Sequence, residues 1–174
     1  MDSETTATFF ALLLISGGAA LVLVAAIGGP VRTAVGTYGV PLAFLVAAGA
    51  TGGSLYFSEV ADFVPCEMCW YQRIAMYPLA PLLLIAAVTK DDRIARYVLP
   101  IVLVGAGLSI YHVQLQLFPE QSTSCSLDAP CTAKWVEVLG FVTIPWMALF
   151  SFVLVLALTG AAHLTSTHPK EPSP

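Results

Sequence analysis

The sequence predicts an all-α membrane protein, and three observations predict it. The 174 residues are 57% hydrophobic and only 10% charged, with a mean hydropathy of +0.83. A soluble domain carries roughly a quarter charged residues, so most of this surface is built for a solvent other than water. The apolar residues fall into five runs, each close to the roughly 20 residues that cross a bilayer. The charged residues are confined to the segments around those runs and to their ends. The length suits a single membrane domain, residues 1–174. A net charge of −4 leaves no basic patch, which excludes nucleic acid as a partner.

The first run, about Ala7–Ile27, carries no charge. Asp2 and Glu4 precede it in place of the basic start of a signal peptide, so it is expected to stay as a transmembrane helix. The others are about Tyr38–Ser58, Trp70–Val88, Val98–Leu117 and Phe141–Leu164. Pro41, Pro100 and Pro145 fall near the expected starts of the second, fourth and fifth spans, where a missing N–H costs nothing. Pro78 and Pro81 fall inside the third and are expected to bend it, as a packing kink or as a bent wall beside a ligand pocket. Gly49, Gly53, Gly105 and Gly107 read as close-packing points within the chain. The Pro/Ser/Thr-rich tail, 165–174, reads as disordered.

Basic residues in short loops set orientation. Arg32, then Lys90, Arg93 and Arg96, then Lys170 share one side if there are five spans; the opposite side has Lys134 as its only loop base. The N-terminus and all four cysteines are therefore expected outside and the C-terminus in the cytoplasm. That outer side is where disulfides persist.

The cysteines form two close pairs, Cys66/Cys69 and Cys125/Cys131. A zinc site built from all four is disfavoured by the loose Cys-x5-Cys spacing and the oxidising side, so no metal is expected. Two static braces are the plainer alternative. A Cys-x-x-Cys ring is small and constrained, however, and such pairs are usually redox-active. Arg73 follows Cys69 by one helical turn, where its guanidinium favours a thiolate or a ligand carbonyl, unless it snorkels to the headgroups. His112 and Gln116 lie one turn apart near the outer end of the fourth span, with Gln114 on another face. A histidine inside a span is expensive, so it marks a functional site or an interhelical hydrogen bond. Trp70, Tyr71, Trp135 and Trp146 suit an interfacial aromatic belt, and Trp135 also lies where a partner could dock.

The run Cys66-Glu67-Met68-Cys69-Trp70-Tyr71-Gln72-Arg73, then Tyr111-His112-Val113-Gln114-Leu115-Gln116-Leu117-Phe118-Pro119 and Cys125, closely resembles the DsbB family of membrane thiol oxidases. Pro130-Cys131 and Gly140-Phe141-Val142-Thr143-Ile144-Pro145 resemble its shorter-looped, BdbC-type branch. The resemblance covers about Tyr38 to Leu164. It implies a four-transmembrane-helix bundle from spans two to five, preceded by one extra N-terminal transmembrane helix.

It further implies a quinone cofactor (ubiquinone or menaquinone), a DsbA-like thioredoxin-fold partner outside the membrane, and a prokaryotic cell-membrane location. On the same footing Cys66 and Cys69 would be the redox pair that discharges to the quinone. Cys125–Cys131 would be the shuttle disulfide, with Cys125 meeting the partner and Cys131 exchanging with Cys66. Cys69 would contact the quinone, Arg73 would stabilise it, and His112 and Gln116 would lie near its headgroup. A relation to vitamin K epoxide reductase is the alternative, disfavoured because there the Cys-x-x-Cys follows the loop cysteines. A non-enzymatic protein with two structural disulfides is the other.

Overall fold

A computed structural model of the chain describes residues 3–27, 29–121 and 129–167, excluding the side chains at 21, 24–27, 30–34, 92 and 166–167. It contains α1 (Ser3–Ile27), α2 (Gly29–Glu59), α3 (Glu67–Met76), α4 (Leu79–Thr89), α5 (Ala95–Leu117) and α6 (Ile144–Thr167). Short 3-10 turns at Asp92–Ile94 and Pro119–Gln121 complete it. Among the described residues the only sheet-like pairing is a bridge between Val138 and Val142. Among the described residues, four stretches are long and apolar enough to cross a membrane: Val35–Glu59, Glu67–Thr89, Ala95–Leu117 and Ile144–Thr165. The first expected span is a helix of 25 residues, α1.

Several boundaries differ from the sequence expectation, each for a local reason. α2 begins at Gly29, because Pro30 suits a first helical turn and nothing after it breaks the helix. Pro41 and Pro100 therefore lie inside α2 and α5, contrary to the expectation that they mark starts. α3 begins at Glu67, three residues early, because Cys66 caps it: the Cys66 backbone is extended and its sulfur accepts from the Cys69 N–H. The expected bend in the third span occurs at Tyr77–Pro78, which divides α3 from α4. α6 begins only at Ile144, because Leu139 and Gly140 take positive φ (56° and 79°) and the Val138–Val142 bridge holds the chain in a turn. It then continues to Thr167, so 165–167 are helical; the rest of the tail lies outside the described residues.

The main core joins α2 to α6 through Ala43, Ala47, Met76, Leu79, Leu83, Val98, Val102, Phe152 and Val155. Apolar residues such as Ile85, Val88, Leu103, Val104 and Ile110 point outward instead, as lipid-facing residues do. Association of helices in lipid depends on close van der Waals packing and small residues. Gly39 meets the Leu158 carbonyl, and Gly105 meets the ring of Phe152, which is fully buried. Gly107 and Gly49 have nothing within 4 Å of an added Cβ, so they are not packing points. Gly105→Ala is expected to lower stability by about 1–3 kcal/mol through overpacking, read as a lower thermal midpoint in detergent. Gly107→Ala should leave it unchanged.

Candidate functional site

The site is assembled where α3 begins. Pro65 leads the chain in and Cys66 caps the helix, so the thiol sits against the N-terminal N–H groups, where negative charge is favoured. Cys66 and Cys69 are free thiols with sulfurs 3.0 Å apart: the open form of the expected ring. Cys66 is buried, and its sulfur also lies 3.6 Å from His112 Nε2. The Cys69 thiol donating to Cys66 holds Cys66 well below the ordinary thiol range, and His112 adds to this against the opposing effect of burial.

His112 is held by a chain of bonds whose polarity can be followed. Ser109 Oγ donates to the Gly105 carbonyl (2.9 Å) and accepts from Gln72 Nε2 (2.9 Å). That fixes Gln72 Oε1 as the group facing His112 Nδ1, at 3.3 Å. The other ring nitrogen, Nε2, faces the Cys131 carbonyl at 3.1 Å. The ring thus bridges Gln72 Oε1 and the Cys131 carbonyl, with Nε2 also beside the Cys66 sulfur. In His112→Ala the Cys66 thiolate should form only at higher pH, read from thiolate absorbance of the reduced protein. A midpoint equal to wild type would remove His112 from this role.

Cys131 is disulfide-bonded and buried, and it packs in one cluster with Cys66, Met68, Leu115 and Ala129. Its expected partner, Cys125, lies outside the described residues. Gln116 fastens the same loop: its Nε2 donates to the Ala133 carbonyl (3.1 Å) and its Oε1 accepts from Thr143 Oγ1 (2.6 Å). The short Pro130-Cys131 segment is thus seated on the redox pair.

Two cavities meet at Cys69. The larger, about 110 Å³, is lined by Cys69, Arg73, Met76, Tyr77, Trp135 and apolar residues of α1, α2 and α6. The smaller, about 20 Å³, is lined by Cys66, Cys69, His112, Gln116, Pro130 and Thr143. Arg73 therefore shares a cavity with Cys69, as the spacing predicts, while His112 and Gln116 line the other one. The Pro78 bend serves as a cavity wall, since Met76 and Tyr77 border the larger space.

Arg73 does not run outward to headgroups. Its Nε donates to Ser54 Oγ (3.0 Å), its Nη2 to the Ser54 carbonyl (3.1 Å), and it lies 5.2 Å from the Trp70 ring centroid. Tyr77 Oη donates to Ser54 Oγ as well (3.2 Å). Sequence reasoning missed Ser54, Gln72, Tyr77 and Ser109; all are polar groups in otherwise apolar spans, which is the signal that could have found them. Trp135, read from sequence as belt, stacks on Phe63 (5.3 Å between centroids) and lines both cavities. The ligand atoms of Cys66, Cys69 and His112 lie within 4.8 Å of one another, so these three residues could also hold a soft metal ion.

Residues 37–162 match the family described as "Disulfide bond formation protein DsbB". The chain belongs to the DsbB family. Disulfide bond formation protein C of Bacillus subtilis (strain 168) is 46% identical over 115 residues, which cover 65% of this chain and 83% of that protein. Probable disulfide formation protein C 1 of Bacillus cereus (strain ATCC 10987 / NRS 248) is 50% identical over 109 residues, 61% of this chain and 78% of the relative. Probable disulfide formation protein C 1 of Bacillus anthracis is 50% identical over the same length. No solved structure gives a significant match. Within the DsbB family the chain is of the disulfide formation protein C type: a multi-pass membrane protein of thiol–disulfide chemistry.

Proposed function

We propose that this chain is a membrane thiol oxidase that reoxidises a DsbA-like thioredoxin-fold dithiol outside the cell membrane and passes the electrons to a membrane quinone. The observation that carries this reading is the position of Cys69, on the apolar cavity that holds Arg73 and on the small cavity next to Cys66 and Cys131. The larger cavity suits a quinone ring. Roughly 150 Å³ of apolar cavity takes a benzene, and about 110 Å³ is of that order. Its walls are mostly apolar, with Cys69, Arg73, Ser54, Gln72, Tyr77 and Ser151 as the polar residues among them.

The steps balance as exchanges of one electron pair. A partner thiolate attacks Cys125 of the shuttle disulfide, and the partner's second thiol resolves the mixed disulfide, leaving the partner oxidised and Cys125/Cys131 reduced. The Cys131 thiolate then attacks Cys66 of the Cys66–Cys69 disulfide and releases Cys69 as thiolate. Cys125 attacks Cys131, which restores the shuttle bridge and frees Cys66. The free Cys66/Cys69 pair beside a disulfide-bonded Cys131 corresponds to this point in the cycle. When bound, a quinone supplies the sink for two electrons and two protons. Cys69 would face it from the cavity wall, Arg73 holds positive charge beside Cys69, and the apolar walls exclude water. His112 stabilises negative charge on Cys66 and positions the Cys131 backbone, and Gln116 secures the loop.

Lys90 and Arg93 in the connection between α4 and α5, and Arg96 in the first turn of α5, support the reading of that end as cytoplasmic, with the cysteines at the other. With α1 as a fifth span, the N-terminus lies outside and the C-terminus inside. Purified protein mixed with a reduced thioredoxin-fold dithiol partner and no oxygen should oxidise it only when quinone is added. Equal oxidation without any quinone would overturn the reading.

A further inference from the structure

The helix α1 lies outside the stretch that matches the family, residues 37–162, yet it forms part of the cavity wall. At the end away from the cysteines, α2 and α6 meet closely: Gly36 lies against Thr165 and Gly39 against the Leu158 carbonyl. Toward the cysteines they part. Gly49 there has nothing within 4 Å of an added Cβ, and Gly49 and Ala50 of α2 face Ala148 and Ser151 of α6 across the cavity.

Helix α1 covers this parting. Ala7 and Ala11 are buried against the bundle, Thr6 bonds to Tyr56 Oη at 3.3 Å, and Gly17 packs on Leu154. Phe10 lies over Gly53, where an added Cβ would stand 3.3 Å from its ring, so the missing side chain provides its seat. Phe10 and Leu14 are one turn apart on a single face, and both line the cavity. Phe9 and Leu13, on the adjoining face, are 57% and 51% exposed.

We propose that α1 is a built-in wall of the acceptor cavity, with Phe10 and Leu14 as specificity-determining residues that pack on the quinone ring and keep it against Cys69 and Arg73. This rests on the quinone reading above. The physical content is contact and confinement. Without these side chains the cavity is open between α2 and α6, toward the acyl chains, and a ring in it loses apolar contacts on one side. The wall also limits width, so its side chains set which ring sizes fit. Chemistry at the sulfurs needs none of α1.

The test separates KM from kcat. With a short-tailed benzoquinone as acceptor, Phe10→Ala and Leu14→Ala should each raise the quinone KM about tenfold, the scale of a lost apolar contact in a pocket. Turnover at saturating quinone should stay at the wild-type value. Phe9→Ala and Leu13→Ala should change neither. A wild-type protein that works without quinone sinks the acceptor reading itself; quinone-dependent wild type with unchanged KM in both variants sinks the α1 assignment alone. Should the variants fold poorly, a photoreactive azidobenzoquinone on wild-type protein decides. Label within Ser3–Ile27 supports the wall, and label confined to α2, α3 and α6 contradicts it.

Discussion

Cys69→Ser is expected to stop quinone-dependent oxidation of the partner, with a fall of more than about three orders of magnitude in turnover. The reason is stoichiometric as well as geometric. A serine cannot close a ring with Cys66, so no electron pair can leave through that position. The variant should keep the fold, because the cap of α3 uses the residue-69 N–H and the Cys66 sulfur, and a serine hydroxyl can still donate where the thiol did. It should also reveal the last exchange run in reverse. With Cys69 gone, the free Cys66 thiolate can attack Cys131 of the Cys125–Cys131 bridge, which forms a Cys66–Cys131 cross-link and frees Cys125, visible by proteolysis and mass analysis without reductant. Two structural braces predict the same folding but no cross-link and no change in partner oxidation.

Arg73→Ala is the second large effect. The guanidinium donates to Ser54 at two atoms and lies over Trp70, so it is fixed before any ligand arrives. A hydrogen bond to a charged group is worth about 1.5–3 kcal/mol. The quinone KM should therefore rise about ten- to a hundredfold, with partner oxidation restored in part at high quinone. Arg73→Lys should not restore affinity, because an ammonium cannot reproduce the two-point contact of the planar fork. An unchanged quinone KM in Arg73→Ala, in folded protein, removes Arg73 from the acceptor site.

Much of this was legible before any coordinates. The five apolar runs, the proline bend in the third and the redox reading of Cys66/Cys69 follow from hydropathy, proline chemistry and spacing. The shared cavity of Cys69 and Arg73 follows from one helical turn between them. What escaped was set by other elements. His112 and Gln116 do share a face, but that face meets the Pro130–Thr143 loop, and nothing in a helical period says which neighbour a face will meet. Arg73 was weighed against snorkelling without Ser54 in view, because Ser54 is 19 residues away and on another helix. The start of α3 was missed because cysteine is an uncommon cap; here its sulfur does what a serine or aspartate oxygen usually does. The first span reads from sequence only as one extra helix, because its partner Gly53 looks like helix packing until the cavity beside it is seen.

The arrangement also explains how a five-residue separation between the loop cysteines can serve a relay. A long loop would carry a disulfide to the exit pair by motion. Here Cys131 is already buried with Cys66, and His112 touches both, through the Cys66 sulfur and the Cys131 carbonyl. Short reach is replaced by permanent contact. The demand for motion then moves to the partner's approach to Cys125.

The most direct test of the central claim is an anaerobic titration without partner. Protein with the Cys66/Cys69 pair reduced is mixed with one equivalent of quinone, and free thiols and quinone absorbance are followed together. The account predicts that two thiols disappear for each quinone reduced, that they map to Cys66 and Cys69, and that Cys69→Ser shows neither change. Quinone that stays oxidised while both thiols persist would contradict it.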